Sequence, residues 1–289
     1  MTTPRVAICV PAHGSAPGLQ RLLKSIEAVD YPHDALRVIV AIDGPDAELE
    51  KVARSHADEV VVSPVNRGSY AMRNLAIDRV GDASFVLFTD SDCVVTPGWV
   101  TAHVAALASS EMSGGPVRFS YDDSPTPAEW VDSQQCLRQD HFILRIGFAA
   151  TANLAVRREV LDVVRFDDSL RSGGDWDFGR RAGEAGFRLA YTADAAIVHP
   201  ARNTARAVLK KTWRVAGGAR VLSRRGHAAS RRHDPVKGRA AVAARAQGLP
   251  VSRLWLARTA LLDYTCSLLY AVRVPEVIGP KLRRVLMGR

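Results

Sequence analysis

Residues 84–93 read SFVLFTDSDC, an apolar run that stops at two aspartates one residue apart. A short apolar run closed by polar residues has the length of a buried strand. The same pattern occurs three times before it, in VAICVP (6–11), RVIVAID (37–43) and EVVVS (59–63). Between the runs lie apolar residues at helical spacing, such as Leu19, Leu22, Leu23 and Ile26. Strands alternating with helices predict right-handed crossovers and a mostly parallel sheet covered on both faces, an α/β fold. Such sheets bind ligands beyond the carboxyl ends of their strands. Here each strand is followed by polar residues: Pro11-Ala12-His13, Asp43-Gly44, Asn66-Arg67-Gly68 and Asp90-Ser91-Asp92. Four segments thus converge on one edge.

Further along, the alternation loosens. The pattern predicts a helix over 97–108, a strand in EMSGGPVRFSY (111–121), a long helix over 128–146, and a strand leading into a helix in FAATANLAVRREVL (148–161). Gly173-Gly174 opens a helix near Asp175, Gly186 closes it, and FRLAY and AAIVHP read as strands, the second ending at His199-Pro200. Past that point the texture changes to a basic helix over 205–223, an Arg-, Gly- and Ala-rich stretch over 224–248, and an apolar helix over 254–272. The expected division is an α/β domain over 1–202 and a basic helical C-terminal region over 203–289.

By composition, disorder is not the default: 289 residues, 47% apolar and 24% charged, are ordinary for a globular protein. Charge is unevenly spread. Residues 1–200 carry 19 Lys/Arg against 27 Asp/Glu, a net of −8, whereas 201–289 carry 20 against 3, a net of +17. A basic last third predicts an anionic partner such as phosphate groups or an acidic lipid surface. Nucleic acid is disfavoured, since the tail has few aromatics and no reading motif. Cys9, Cys93, Cys136 and Cys266 lack metal-type spacing, and a reducing cytosol fits them. The first residues have too short an apolar core for a signal peptide. Arg258, Asp263 and Arg273 argue against a spanning helix late in the chain, so the expected location is cytoplasmic, with peripheral contact at the inner face of the membrane.

Two carboxylates this close repel, and a pair that stays ionised calls for a cation. Mg²⁺ and Mn²⁺ take oxygen ligands and commonly sit between carboxylates and substrate phosphates. Taken alone, Asp-x-Asp serves equally as a turn whose side chains cap backbone groups. Its neighbours add to it: VPAHG, AIDG, NRG followed by MRN, TDSDC, TANLAVRREVL and GGDWDFGRRAGEAGFRLAY occur in the order found in family 2 glycosyltransferases, which the chain resembles over roughly residues 5–200. The resemblance implies a GT-A fold, a nucleoside-diphosphate sugar donor with UDP-sugars favoured, a divalent metal and inversion at the anomeric carbon.

Carried over position by position, the resemblance puts Pro11, Ala12 and His13 in the nucleotide pocket, with Asp43 against the base. Asn66, Gly68, Arg73 and Asn74 complete the nucleoside and phosphate side, with Asp90 and Ser91 beside them. Asp92 is the expected direct metal ligand, His199 a further one, and Asp90 a supporting or water-mediated one. An acceptor hydroxyl is a poor nucleophile at neutral pH and needs a carboxylate base. The matching aspartate is Asp175, although the family's Glu-Asp-x-Asp reads Gly174-Asp175-Trp176-Asp177 here and Asp177 stands two residues away. Asp177 fits a structural pairing with Arg180 or Arg181. Asn153, Gly174 and Trp176 are weaker sugar or acceptor contacts. Lys210, Lys211, Arg214 and Arg220 could line one side of a helix that closes over the donor. A sugar nucleotidyltransferase, sharing the α/β architecture and metal aspartates, is the alternative. The early basic Gly-rich loop expected of one is missing from VPAHGSAPG.

Overall fold

A computed structural model describes residues 3–121, 124–227, 240, 243–244, 247–249 and 251–274. They form two compact units, one from Met1–Phe119 and Leu137–Pro200, the other from Ser120–Cys136 and Ala201–Arg289. The second unit thus includes a segment that the sequence reading assigned to the first domain. Most of the stretch 224–248 lies outside the described residues.

In the first unit, β1 (Val6–Ala12), β2 (Leu36–Ile42), β3 (Glu59–Val62) and β4 (Phe85–Thr89) are the four strands expected. They are joined by α1 (Ala16–Glu27), α2 (Ala47–His56) and α3 (Ser69–Ile77). Every residue of β1 is buried, as a strand covered on both faces requires. Ser15 caps α1 by accepting from the Gly18 N–H, and Leu19, Leu22, Leu23 and Ile26 bury one face of that helix. Burial of each such side chain stabilises the fold by about 2 kcal/mol.

After the short β5 (Val94–Val95) and α4 (Trp99–Ala106) come β6 (Met112–Gly114), β7 (Val117–Ser120), β8 (Asn153–Arg157), β9 (Leu189–Tyr191) and β10 (Ile197–Pro200). The main sheet runs β3-β2-β1-β4-β8-β6-β9, and a small second sheet runs β5-β10-β7. β1, β2, β3 and β4 are parallel, and β8 is antiparallel to both of its neighbours. The single strand expected over 111–121 is therefore two strands in different sheets. The chain turns between them at Gly115, where a Cβ would lie 1.9 Å from the Ala195 carbonyl oxygen. Only glycine permits that approach.

The long helix expected over 128–146 is also broken. α5 (Pro127–Gln135) starts with a capping box between Thr126 and Glu129 and ends at an extended Cys136. Leu137 then adopts a φ of 49°, followed by α6 (Gln139–His141) and a π-helical turn over Phe142–Ile146. The break is where the chain passes from one unit to the other. Gln139 is fixed in the first unit by Ala150 N–H, Ala150 O and Asn153 O. Asp132, on α5, is fully buried in the second, against Arg202 and Lys211. The remaining helices are α7 (Arg158–Val163) and α8 (Gly174–Glu184) in the first unit, and α9 (Ala205–Arg224) and α10 (Arg253–Arg273) in the second. Among the described residues, no helix is long and apolar enough to cross a membrane.

Asn153 corrects an expectation of a sugar contact. It is fully buried, and its Oδ1 accepts from Trp99 Nε1 at 2.8 Å and stands 2.9 Å from His103 Nε2. Its Nδ2 donates to the carbonyls of Ala195 and Pro116. With both ends of the amide engaged, it joins α4 and β8 to the segments leading into β7 and β10 and has no polar atom left over for a sugar. Removing it leaves several buried groups unpaired, each costing roughly 1–3 kcal/mol. Asn153→Ala is therefore expected to lower the unfolding free energy by about 3 kcal/mol or more, measured by denaturant titration.

Burial pushes His103 down from its ordinary 6.5 to about 4. The neutral ring's contribution is fully present above pH 6.5 and is lost as pH falls toward 4, because the unfolded chain takes up a proton that the folded one does not. This group accounts for a loss of up to roughly 3 kcal/mol. The unfolding free energies of wild type and His103→Gln at pH 7.5 and 4.5 test it, with a smaller acid sensitivity expected in the variant.

Candidate active site

The register brings the strand ends level. Ala12 pairs with Ile42 and Ile42 with Val62, while Cys9 pairs with Phe88, so β4 runs out beside Pro11. Polar residues that follow these strands are thereby gathered along one edge. Pro11 and Ala12 are buried in β1, and the exposed His13 has its Nδ1 3.2 Å from the Asp43 carbonyl oxygen.

Asp43 organises this edge. Its nearly buried carboxylate accepts from the Arg67 N–H at 2.6 Å and the Gly68 N–H at 2.9 Å, folding the loop after β3 back over β2. Each oxygen retains a lone pair that can accept from a ligand. Gly68 has a φ of +94° and Arg171 packs 3.0 Å from where its Cβ would be, so the position favours glycine twice over. Arg171 also donates to Asn66 Oδ1.

Two residues expected on the phosphate side are engaged within the fold. Asn74 donates to the Phe166 carbonyl at 2.8 Å and accepts from the Phe166 N–H at 3.1 Å, which fastens that segment to α3. The Arg73 side chain is only 3% exposed, and its Nη2 lies 2.5 Å from Asp90 Oδ1. Arg73 thus neutralises the first aspartate of the Asp-x-Asp turn rather than facing solvent. Ser91 sits half-buried in that turn, which the Cys93 N–H closes on the Asp90 carbonyl.

Asp92 is left with a different neighbour. Its carboxylate is 41% exposed, and Oδ1 stands 3.6 Å from Nε2 of the buried His199. That is too long for a hydrogen bond. Two ligands each about 2.1 Å from one ion stand roughly 3.0–3.6 Å apart at ordinary coordination angles, which this pair matches. His199 Nδ1 lies 2.7 Å from the Pro200 carbonyl oxygen, which can only accept. A proton therefore belongs on Nδ1, the arrangement in which Nε2 of a neutral imidazole can ligate a metal. Cys93 lies within the same cluster, but burial and the two aspartates push its thiol well up, and the side chain packs in the core. Asp92 and His199 could hold a divalent ion, with the remaining positions open to water or a diphosphate.

Asp175 lies on a separate segment, in the first turn of α8. Oδ1 accepts from the Tyr70 hydroxyl and Oδ2 from the Thr151 N–H at 3.3 Å. Gly174 lies directly under the Tyr70 ring, and Trp176 is half-buried with the Arg180 guanidinium 5.8 Å from its centroid. Asp177 is buried and pairs with both Arg180 and Arg181 on its own helix, as expected of a structural residue. The carboxylate left half-exposed is Asp175. Tyr70, Thr151 and Arg171 complete the site and were missed from the sequence. Tyr70 sits two residues past the NRG motif, and nothing local signals that its hydroxyl reaches a residue 105 positions away.

Comparisons with known proteins bear on the family and the fold. A glycosyltransferase like family 2 model matches residues 4–218. Glycosyltransferase AglE of Haloferax volcanii is 32% identical over 225 residues, covering 75% of this chain and 73% of that protein. The pre-mycofactocin glycosyltransferase of Mycobacterium tuberculosis is 28% identical over 230 residues; the match covers 75% of this chain and 47% of the relative, about half its length. Among solved structures, the mannosyltransferase PcManGT of Pyrobaculum calidifontis, in complex with GDP-Man and Mn²⁺, superposes with a TM-score of 0.58 at 17% identity, covering 99% of this chain and 79% of that one. S. aureus TarS in complex with UDP-GlcNAc gives 0.54 at 18% identity, covering 98% and 86%. At such identities the likeness is one of fold. The family match sets aside the nucleotidyltransferase alternative: the chain belongs to the family 2-like glycosyltransferases.

Proposed function

We propose that this protein is an inverting glycosyltransferase that moves a sugar from a nucleoside-diphosphate donor, preferentially a UDP-sugar, to an acceptor hydroxyl. The observation that carries the reading is the division of labour among the carboxylates of one unit. Asp43 folds the nucleotide-side loop, Asp90 is paired with Arg73, Asp92 faces Nε2 of His199, and Asp175 stands on its own segment. Pro11, Ala12, His13, Asn66 and Gly68 line the donor side beside Asp43, and Trp176 lies toward the acceptor.

In this mechanism Asp175 takes the proton of the acceptor hydroxyl as the oxygen attacks the anomeric carbon. The new carbon–oxygen bond forms while the bond to the diphosphate breaks, and the leaving group departs with the electron pair. Attack from the face opposite the leaving group inverts the centre. Asp92 and His199 would hold a divalent ion, Mn²⁺ or Mg²⁺, and such an ion would supply positive charge to stabilise the departing diphosphate. Asp90, held by Arg73, keeps the turn that presents Asp92.

Thermal-shift titration with UDP and GDP, each with and without Mn²⁺, tests the donor side. Stabilisation by UDP that requires metal is expected, and Asp92→Ala should abolish it. A protein stabilised by neither nucleotide under either condition would contradict the reading. Asp175→Asn should retain the metal-dependent stabilisation and lose sugar transfer by a factor of at least 10²; full transfer would exclude Asp175 as the base.

The reading extends to a peripheral contact at the cytoplasmic face of the membrane. In the second unit, α10 buries Thr259, Leu262, Asp263, Cys266 and Tyr270, yet its opposite face exposes Leu254, Leu261, Tyr264, Leu268 and Val272, each by 40% or more. A helix apolar on both faces needs a cover for each. The outer face of α9 carries Arg206, Lys210, Arg214 and Arg224, which suits an anionic lipid surface. Lys211 is not part of that face, being engaged with the buried Asp132. Co-sedimentation is expected with phosphatidylglycerol vesicles and not with phosphatidylcholine ones, and Leu261→Glu/Leu268→Glu should release the protein. Equal binding to both vesicle types, or self-association in place of lipid binding, would overturn this contact.

A further inference from the structure

We infer that Tyr70 is a positioning residue for the base, holding the Asp175 carboxylate in place through its hydroxyl, and that Gly174 exists to admit its ring; the inference rests on the assignment of Asp175 proposed above. Three observations carry it. The Tyr70 hydroxyl donates to Asp175 Oδ1, across 105 residues of sequence. A Cβ on residue 174 would lie 2.7 Å from Cε2 and Cζ of the Tyr70 ring, a distance that real contacts do not reach. The ring itself is fixed: it stacks on Phe166 with centroids 5.9 Å apart, the Arg73 guanidinium carbon lies 5.6 Å from its centroid, and the residue is only 6% exposed.

The arrangement accounts for the departure from the family pattern. A glutamate at 174 would bring a Cβ into the space of the ring, so Tyr70 in this position and an acidic side chain at 174 exclude one another. The chain has the tyrosine. Its hydroxyl can only help a carboxylate that stays ionised if it remains a donor. Burial and the facing Asp175 charge push the Tyr70 ionisation well above its ordinary range, so it does. With Oδ1 engaged by Tyr70, Oδ2 is the oxygen available to the acceptor proton, and the 3.3 Å contact from the Thr151 N–H sets its direction. Arg73 links this end of the site to the other, since the guanidinium beside the Tyr70 ring also pairs with Asp90.

Tyr70→Phe keeps the ring and deletes the hydroxyl. The expected result is a fall in kcat of roughly tenfold, the scale of one hydrogen bond to a charged group. The acidic limb of the pH–rate profile should move to higher pH, and metal-dependent UDP affinity should be unchanged. Gly174→Ala, which forces the ring aside, should give the same signature. An unchanged kcat and pH profile in Tyr70→Phe, alongside an inactive Asp175→Asn, would overturn this inference and leave the base assignment standing. Loss of thermal stability and UDP affinity with no movement of the acidic limb would overturn it too, since that marks a packing role. An active Asp175→Asn would remove the base assignment itself, whatever Tyr70→Phe does.

Discussion

The arrangement depends on one constraint: β1 pairs with β2 and β4 in parallel, over registers that bring neighbouring strands to an end at nearly the same level. Parallel strands must all return on the outside through helices, so their carboxyl ends point one way. A shift of one residue in β1 would also turn its side chains to the opposite faces of the sheet. The fully buried run Val6–Ala12 leaves little room for such a shift, and the core that fixes the sheet thereby fixes where His13, Asp43 and Asp90 emerge.

Four carboxylates meet near that edge, and each faces a different partner. Backbone N–H groups take Asp43, a buried guanidinium takes Asp90, an imidazole faces Asp92 and a phenol takes Asp175. The chemistry of the partner separates residues of identical type. A carboxylate paired with a fixed cation is stabilised as a charge but has little left to offer. One that faces an imidazole beyond hydrogen-bond distance remains available to a cation. One that accepts from a hydroxyl remains able to take a proton.

Much of this was legible in the residues. The four early strands stood out because apolar runs ended by polar residues have few other readings, and the ordered motifs drew attention to Asp92, Asp175 and His199, of which Asp92 and His199 come together in the structure. Asn153 was misjudged because an asparagine inside a matching motif looks the same whether its amide meets a ligand or, as here, an indole, an imidazole and two carbonyls. Helical periodicity over 128–146 concealed the passage between units, since the apolar spacing persists across the break at Leu137 and only the backbone changes hand there. Arg73 and Asn74 were assigned to a ligand because polar groups near a strand end suggest one, whereas their partners, Asp90 and Phe166, come from elsewhere in the chain.

The burial of Asp132 bears on how this protein can be divided. Its carboxylate is fully enclosed, and its cationic partners, Arg202 and Lys211, lie some 70 residues further on, beyond the last strand. The indole of Trp130 likewise donates to the carbonyl of Ala240. A shortened protein ending near residue 202 would keep α5 while discarding most of what encloses it, leaving an uncompensated anion and an uncovered tryptophan in the middle of the remaining chain. The basic C-terminal segment therefore functions as a fold complement to α5 and not as a detachable appendage. Any attempt to isolate the catalytic part by truncation has to redesign residues 120–136 as well.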